Sequence, residues 1–160
     1  MSRTACTIDV AHKELLALLD RYPQIDRTLL EELAADWLLD AQVDIDFEDI
    51  RVILDKPGRL VCALEEIDRI DEVLDSLERL VIVMLPDDCS ESSPLGALLV
   101  VRSSTWIDLS KITEMMKKFR SCLRNLTDSA FAFYIDPKVQ SITLRVVLSG
   151  VVQINRDSME

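Results

Sequence analysis

Apolar residues recur along this chain at helical spacing in some stretches and in short unbroken runs in others, and the switch between the two marks out helices and strands. Val10, Leu15, Leu16, Leu18 and Leu19 fit a short helix that ends before Tyr22-Pro23, since proline restricts the residue ahead of it. A second helix is expected from about Asp26 to Asp40, with Leu29, Leu30, Leu33, Trp37 and Leu38 on one face and Asp26 or Thr28 as its cap. Val43 to Ile50 is a turn feeding a short helix through about Leu54, which Lys56-Pro57-Gly58 stops. Arg59 to Leu64 fits a buried strand, with Glu65 and Glu66 as the acidic start of another helix.

From Asp68 to about Met84 the set Ile70, Val73, Leu74, Leu77, Leu80 and Val81 repeats at helical steps, although the β-branched end, Val81-Ile82-Val83, fits an extended segment as well. Pro86 to Pro94 holds little to bury and is expected as a surface loop. A strongly apolar strand, Leu95 to Arg102, precedes a helix of about twenty residues starting near Asp108 and carrying Ile112, Met115, Met116, Phe119, Cys122, Leu123 and Leu126. Two strands follow, Ala130 to Ile135 and Ser141 to Leu148, joined by the hairpin-like Asp136-Pro137-Lys138-Val139-Gln140. The predicted class is α+β: a two-layer sandwich with a mixed sheet of about four strands, helices packed on one face, and further helices ahead of it. Residues 1–26 are expected as an N-terminal helical extension, 27–151 as the domain and 152–160 as a flexible tail.

With 160 residues, 49% of them hydrophobic, the chain has material for one well-buried core. Its three glycines, Gly58, Gly96 and Gly150, stand far apart, so no glycine-rich loop turns backbone N–H groups onto a phosphate, and no cofactor is expected. The net charge of −11 opposes nucleic acid and anionic membranes, which both require a positive field; its plainest role is solubility. The run Leu80 to Leu85 is far too short to span a bilayer, and Cys6, Cys62, Cys89 and Cys122 form no pairing motif, which makes the cytoplasm the default location. His12 is the sole histidine, so neither zinc spacing nor a nucleophile–histidine–acid site is supported, and no autonomous enzyme is expected.

The chemistry that does stand out is acidic. Asp44, Asp46, Glu48 and Asp49 cluster at a helix start, where the ordinary role is capping in a solvated turn. The Asp-x-Asp-x-Glu order also resembles the opening of a calcium loop, but the sixth and twelfth positions counted from Asp44 hold Asp49 and Asp55 rather than the required glycine and glutamate. Lys111, Lys117, Lys118, Arg120 and Arg124 form the one basic patch, most simply the polar face of an amphipathic helix, while Met115, Met116 and Phe119 belong with the core.

Asp44-Ile45-Asp46-Phe47-Glu48-Asp49-Ile50-Arg51 resembles the loop of the tubulin/FtsZ family that joins the central helix to the C-terminal domain, usually Asn-Leu-Asp-Phe-Ala-Asp-Val and a basic residue. Gly58 to Ile67, Asp68 to Leu80, Gly96 to Val101, Ile107 to Arg124, Ala130 to Asp136 and Ile142 to Gly150 are similar, in order, to the strands and helices after that loop. The resemblance covers roughly Arg27 to Val151 and implies the fold of a stand-alone C-terminal domain, without the family's GTP-binding half. It departs at Asp44 and Glu48, which stand for Asn and Ala, and at Cys62-Ala63-Leu64-Glu65, which replaces a glycine-bearing stretch.

In the family this loop enters the nucleotide pocket of the next subunit, and Asp46 and Asp49 occupy the matching positions of its aspartates. The resemblance therefore implies a non-catalytic protein that docks on a filament-forming GTPase through Asp44, Asp46, Phe47, Glu48, Asp49 and Arg51, in cell division or cytoskeletal regulation. Unless a metal ion intervenes, like-charge repulsion from the added Asp44 and Glu48 favours capping, or loss of that role, over efficient activation. Two rivals stand beside it: a homo-oligomeric scaffold of the same fold, and a metal-dependent hydrolase that no histidine or glycine loop supports.

Overall fold

The computed structural model describes residues 27–36, 39–85 and 95–152, with Lys13 and Ala17 as isolated helical positions. Apart from those two positions the expected first helix lies outside the described residues, as do the Pro86–Pro94 loop and the tail beyond Val152. In order come α1 (Arg27–Asp36), β1 (Asp40–Val43), α2 (Phe47–Leu54), β2 (Arg59–Ile67), a 3-10 turn (Ile70–Glu72), α3 (Val73–Met84), β3 (Leu95–Ser103), α4 (Leu109–Ser121), β4 (Leu126–Ile135) and β5 (Ile142–Val151). The strands form one sheet in the order β1-β4-β3-β5-β2. β3 runs parallel to β4, and every other pairing is antiparallel. This is the expected α+β class with a mixed sheet.

The layering differs from expectation. Ala97, Leu99 and Val101 of β3 face one apolar cluster with Val73, Leu77 and Val81 of α3 and Ile112, Met115 and Phe119 of α4. Leu98 and Val100 face a second cluster with Leu33 of α1 and Ile45, Ile50, Ile53 and Leu54 at α2. Helices thus cover both faces of the sheet, and the reason lies in β3 itself: Leu95 to Val101 is buried at every position. A strand covered on one side only would alternate with polar residues. The fifth strand, β1, was not expected: Asp40 was placed at the end of a helix and Val43 in a turn, but the backbone pairs with β4, Asp40 opposite Ile135 and Val43 opposite Phe133.

Pairing also overrides local signals elsewhere. β2 runs on through Glu65 and Glu66, which lie opposite Leu144 and Thr143 of β5 rather than starting a helix. Val81 to Met84 completes α3 and is not extended. α4 is thirteen residues long and ends at Ser121 with Cys122 as its C-cap, and Asn125, at a left-handed φ of 59°, turns the chain into β4 at Leu126. The two closing strands are not hairpin partners. β3 lies between them, with Arg102 opposite Tyr134 on one side and Thr143 on the other, and the connection crosses its end, where the Asp136 N–H donates to the Ser103 carbonyl at 2.9 Å. No helix among the described residues is long and apolar enough to cross a membrane.

Candidate functional site

The acidic turn stands out from the sheet on the face covered by α1 and α2. Asp46 is the N-cap of α2, extended at φ −81° and ψ 147°, and its carboxylate accepts from the Glu48 N–H at 3.4 Å. Its carbonyl accepts from the N–H groups of Asp49 and Ile50 at 3.1 and 3.3 Å. Glu48 and Asp49 sit in the first turn, where the helix dipole favours negative charge. Arg51 reaches back to Glu48 at 3.5 Å, a solvent-exposed pair of small energetic weight. Asp44 accepts from the Ile45 N–H at 2.9 Å and from the Tyr134 hydroxyl at 3.4 Å, which ties the turn to β4.

Burial alternates sharply through this segment. Asp44, Asp46, Glu48, Asp49 and Arg51 are exposed, whereas Ile45 and Ile50 are 5% and 2% exposed and enter the second apolar cluster. Phe47 opens the helix. The structure therefore brings the carboxylates named from the sequence onto one solvent-facing turn and fixes its base in the core. The basic residues of α4 behave as a polar face: Lys111 meets Glu114 at 3.4 Å, Lys118 meets Glu78 at 3.2 Å, and Arg120 lies 4.9 Å over the Phe131 ring. Met115 and Phe119 are in the core, Phe119 edge-on to Phe131 at 5.7 Å.

Three features hold α2 and its neighbour α1 in place. Gly96 lies directly under α2: an added Cβ there would come within 2.9 Å of the Ile53 carbonyl and 2.5 Å of Ser149 Oγ, and that same hydroxyl donates to the Ile53 carbonyl. Gly58, which turns the chain from α2 into β2, has φ +120° and no room for a side chain against Gly150. On α1, Asp36 is buried and accepts from Arg145 at 2.6 Å and Arg102 at 3.2 Å, while Arg145 also meets Glu32 at 3.0 Å. Burial raises the Asp36 pKa above its ordinary 3.8, with Arg145 and Arg102 opposing that rise.

Sequence reasoning missed an exposed apolar pair at the start of α4, on the segment that β1 holds. Gln42 of β1, two residues before Asp44, donates to the Ile107 carbonyl at 2.6 Å and accepts from the Ile107 N–H at 2.9 Å. That exchange fixes the segment carrying Trp106 and Leu109, which are 71% and 75% exposed. A lone Trp between a strand and a helix carries no periodicity, so its exposure had no signature in the sequence. Among the described residues no group of three or more His, Cys, Asp or Glu side chains is placed to hold a metal ion.

This mixed sheet with its helices has the fold of the FtsZ/tubulin C-terminal-domain type. Particular solved structures with that likeness include an FtsZ dimer from M. jannaschii, at 20% identity and TM-score 0.54 over 89% of this chain and 44% of that one. TubZ of Bacillus thuringiensis serovar israelensis, in GDP-form protofilaments, matches at 13% identity and TM-score 0.54 over 87% of this chain and 40% of that one. CetZ2 of Haloferax volcanii, in a GTPγS-bound protofilament, matches at 16% identity and TM-score 0.50 over 82% and 40%. The chain spans less than half the length of each. No protein family matches by sequence, and no curated protein matches.

Proposed function

We propose that this chain is a non-catalytic docking domain, equivalent to the C-terminal part of an FtsZ-like protein, which caps a filament-forming GTPase of the same fold. The observation that carries the reading is the outward display of Asp44, Asp46, Glu48 and Asp49 on a turn whose intervening isoleucines are buried. A turn so anchored presents its charge with little ordering cost on binding. Exposed Trp106 and Leu109, fixed to β1 through Gln42, supply apolar contact of the kind that anchors protein interfaces. The structural neighbours described as dimers and protofilaments are consistent with a protein partner of this type.

Capping is favoured over activation on electrostatic grounds. Asp44 and Glu48 add negative charge to a turn that would approach a triphosphate, and that repulsion works against positioning an attacking water. The test is to add the purified chain to a polymerising FtsZ-type protein while following light scattering and phosphate release. Sub-stoichiometric chain is expected to lower both, and Asp49→Lys and Trp106→Ala each to weaken the effect about tenfold. No change in either signal at equimolar protein ends the reading.

A further inference from the structure

We infer a second interface, independent of the docking turn: two copies of this chain pair their β2 strands antiparallel, joining two five-stranded sheets edge to edge. Among the described residues β2 ends the sheet, with β5 on one side and no strand on the other. The opposite edge, β1, is protected in the usual ways, being four residues long and broken by a bulge between Ala41 and Val43. β2 is nine residues long, holds no proline or lysine, and pairs in unbroken register from Val61 to Ile67; at the register shift between Arg59 and Val61 two positions of β2 span three of β5, so the extra residue belongs to β5 and not to β2. Leu64 on it is 53% exposed. A long, regular, partly apolar edge is a template for another strand.

The occupant follows from the order of charges along β2. Arg59 stands near one end and Glu65 near the other, so an antiparallel copy brings opposite charges together. In the two-fold register centred on Cys62, Arg59 meets the partner subunit's Glu65 at both ends, and Leu60 meets the partner subunit's Leu64. Centring on Ala63 instead sets Leu60 and Val61 against carboxylates; centring on Val61 leaves Glu65 and Glu66 beyond the partner strand. Glu65 already meets Arg79 at 2.6 Å and is left with a second oxygen for the incoming guanidinium.

Sedimentation velocity of the whole chain from about 1 to 100 µM tests the interface. The wild type is expected to dimerise. Arg59→Glu and Glu65→Arg should each weaken dimerisation at least about tenfold, and an equimolar mixture of the two should recover wild-type affinity, because each reversed charge then faces its opposite. Leu64→Lys should also give monomer, which decides the matter if Glu65→Arg fails to fold beside Arg79. A wild type that stays monomeric, a dimer indifferent to Arg59→Glu and Leu64→Lys, or a mixture of folded variants that stays monomeric overturns the proposal. Asp49→Lys should dimerise like wild type, which separates this interface from the docking turn.

Discussion

Asp46, Asp128 and Asp36 carry the same carboxyl group into three environments. Asp46 caps α2 in solvent, and its removal by Asp46→Ala should cost about 1 kcal/mol of stability, read from the denaturant midpoint. Asp128 accepts from Lys56, and that hydrogen bond holds its carboxyl below the ordinary 3.8. The stability it contributes is therefore present above pH 3.8 and lost as pH falls through the folded-state pKa. Asp128→Asn should be less stable than wild type at pH 6, with the gap closing on acidification in urea titrations. Asp36 has the opposite sign: burial raises its pKa, so its contribution is present below its unfolded value and lost as pH rises through the folded one.

At the scale of elements, α2 is seated by backbone contact rather than by side-chain bulk. β3 comes close enough beneath it that only glycine fits at position 96, and the Ser149 hydroxyl takes the Ile53 carbonyl. Gly96→Ala forces backbone apart, a change expected to cost about 2 kcal/mol and to shift α2 with the acidic turn on it. Thermal unfolding checks the first part. Loss of filament capping beyond what the lost stability explains checks the second. The same logic accounts for β3, whose apolar residues point in both directions because helices press on it from both sides.

Across the whole molecule, the buried ion pairs join pieces far apart in sequence. Asp36 of α1 meets Arg102 of β3 and Arg145 of β5, and Arg102 also approaches Asp136 after β4 at 3.7 Å. Asp36→Ala leaves Arg145 buried with Glu32 as its remaining carboxylate partner in this cluster, which should cost about 3 kcal/mol. Hydrogen exchange should then show α1 losing protection before the sheet does. With a docking turn near one edge of the sheet and β2 ending the other among the described residues, the proposed dimer would offer two docking turns joined through a continuous sheet.

The sequence by itself determined the α+β class, the existence of α1, α2, α3 and α4, the apolar strands, and the acidic turn at the start of α2, because each rests on local periodicity or on side chains bonding their own neighbours. Tertiary structure alone decided the rest. Whether Glu65-Glu66 starts a helix or continues β2 depends on β5, eighty residues away or nearly so in sequence, offering backbone partners at Leu144 and Thr143. The placing of β3 between β4 and β5, and of helices on both faces, likewise follows from which apolar surfaces meet, and no local window holds that information. The exposure of Trp106, and the position of β2 at the end of the sheet among the described residues, are of the same kind, since exposure is set by which parts of the chain the fold brings together.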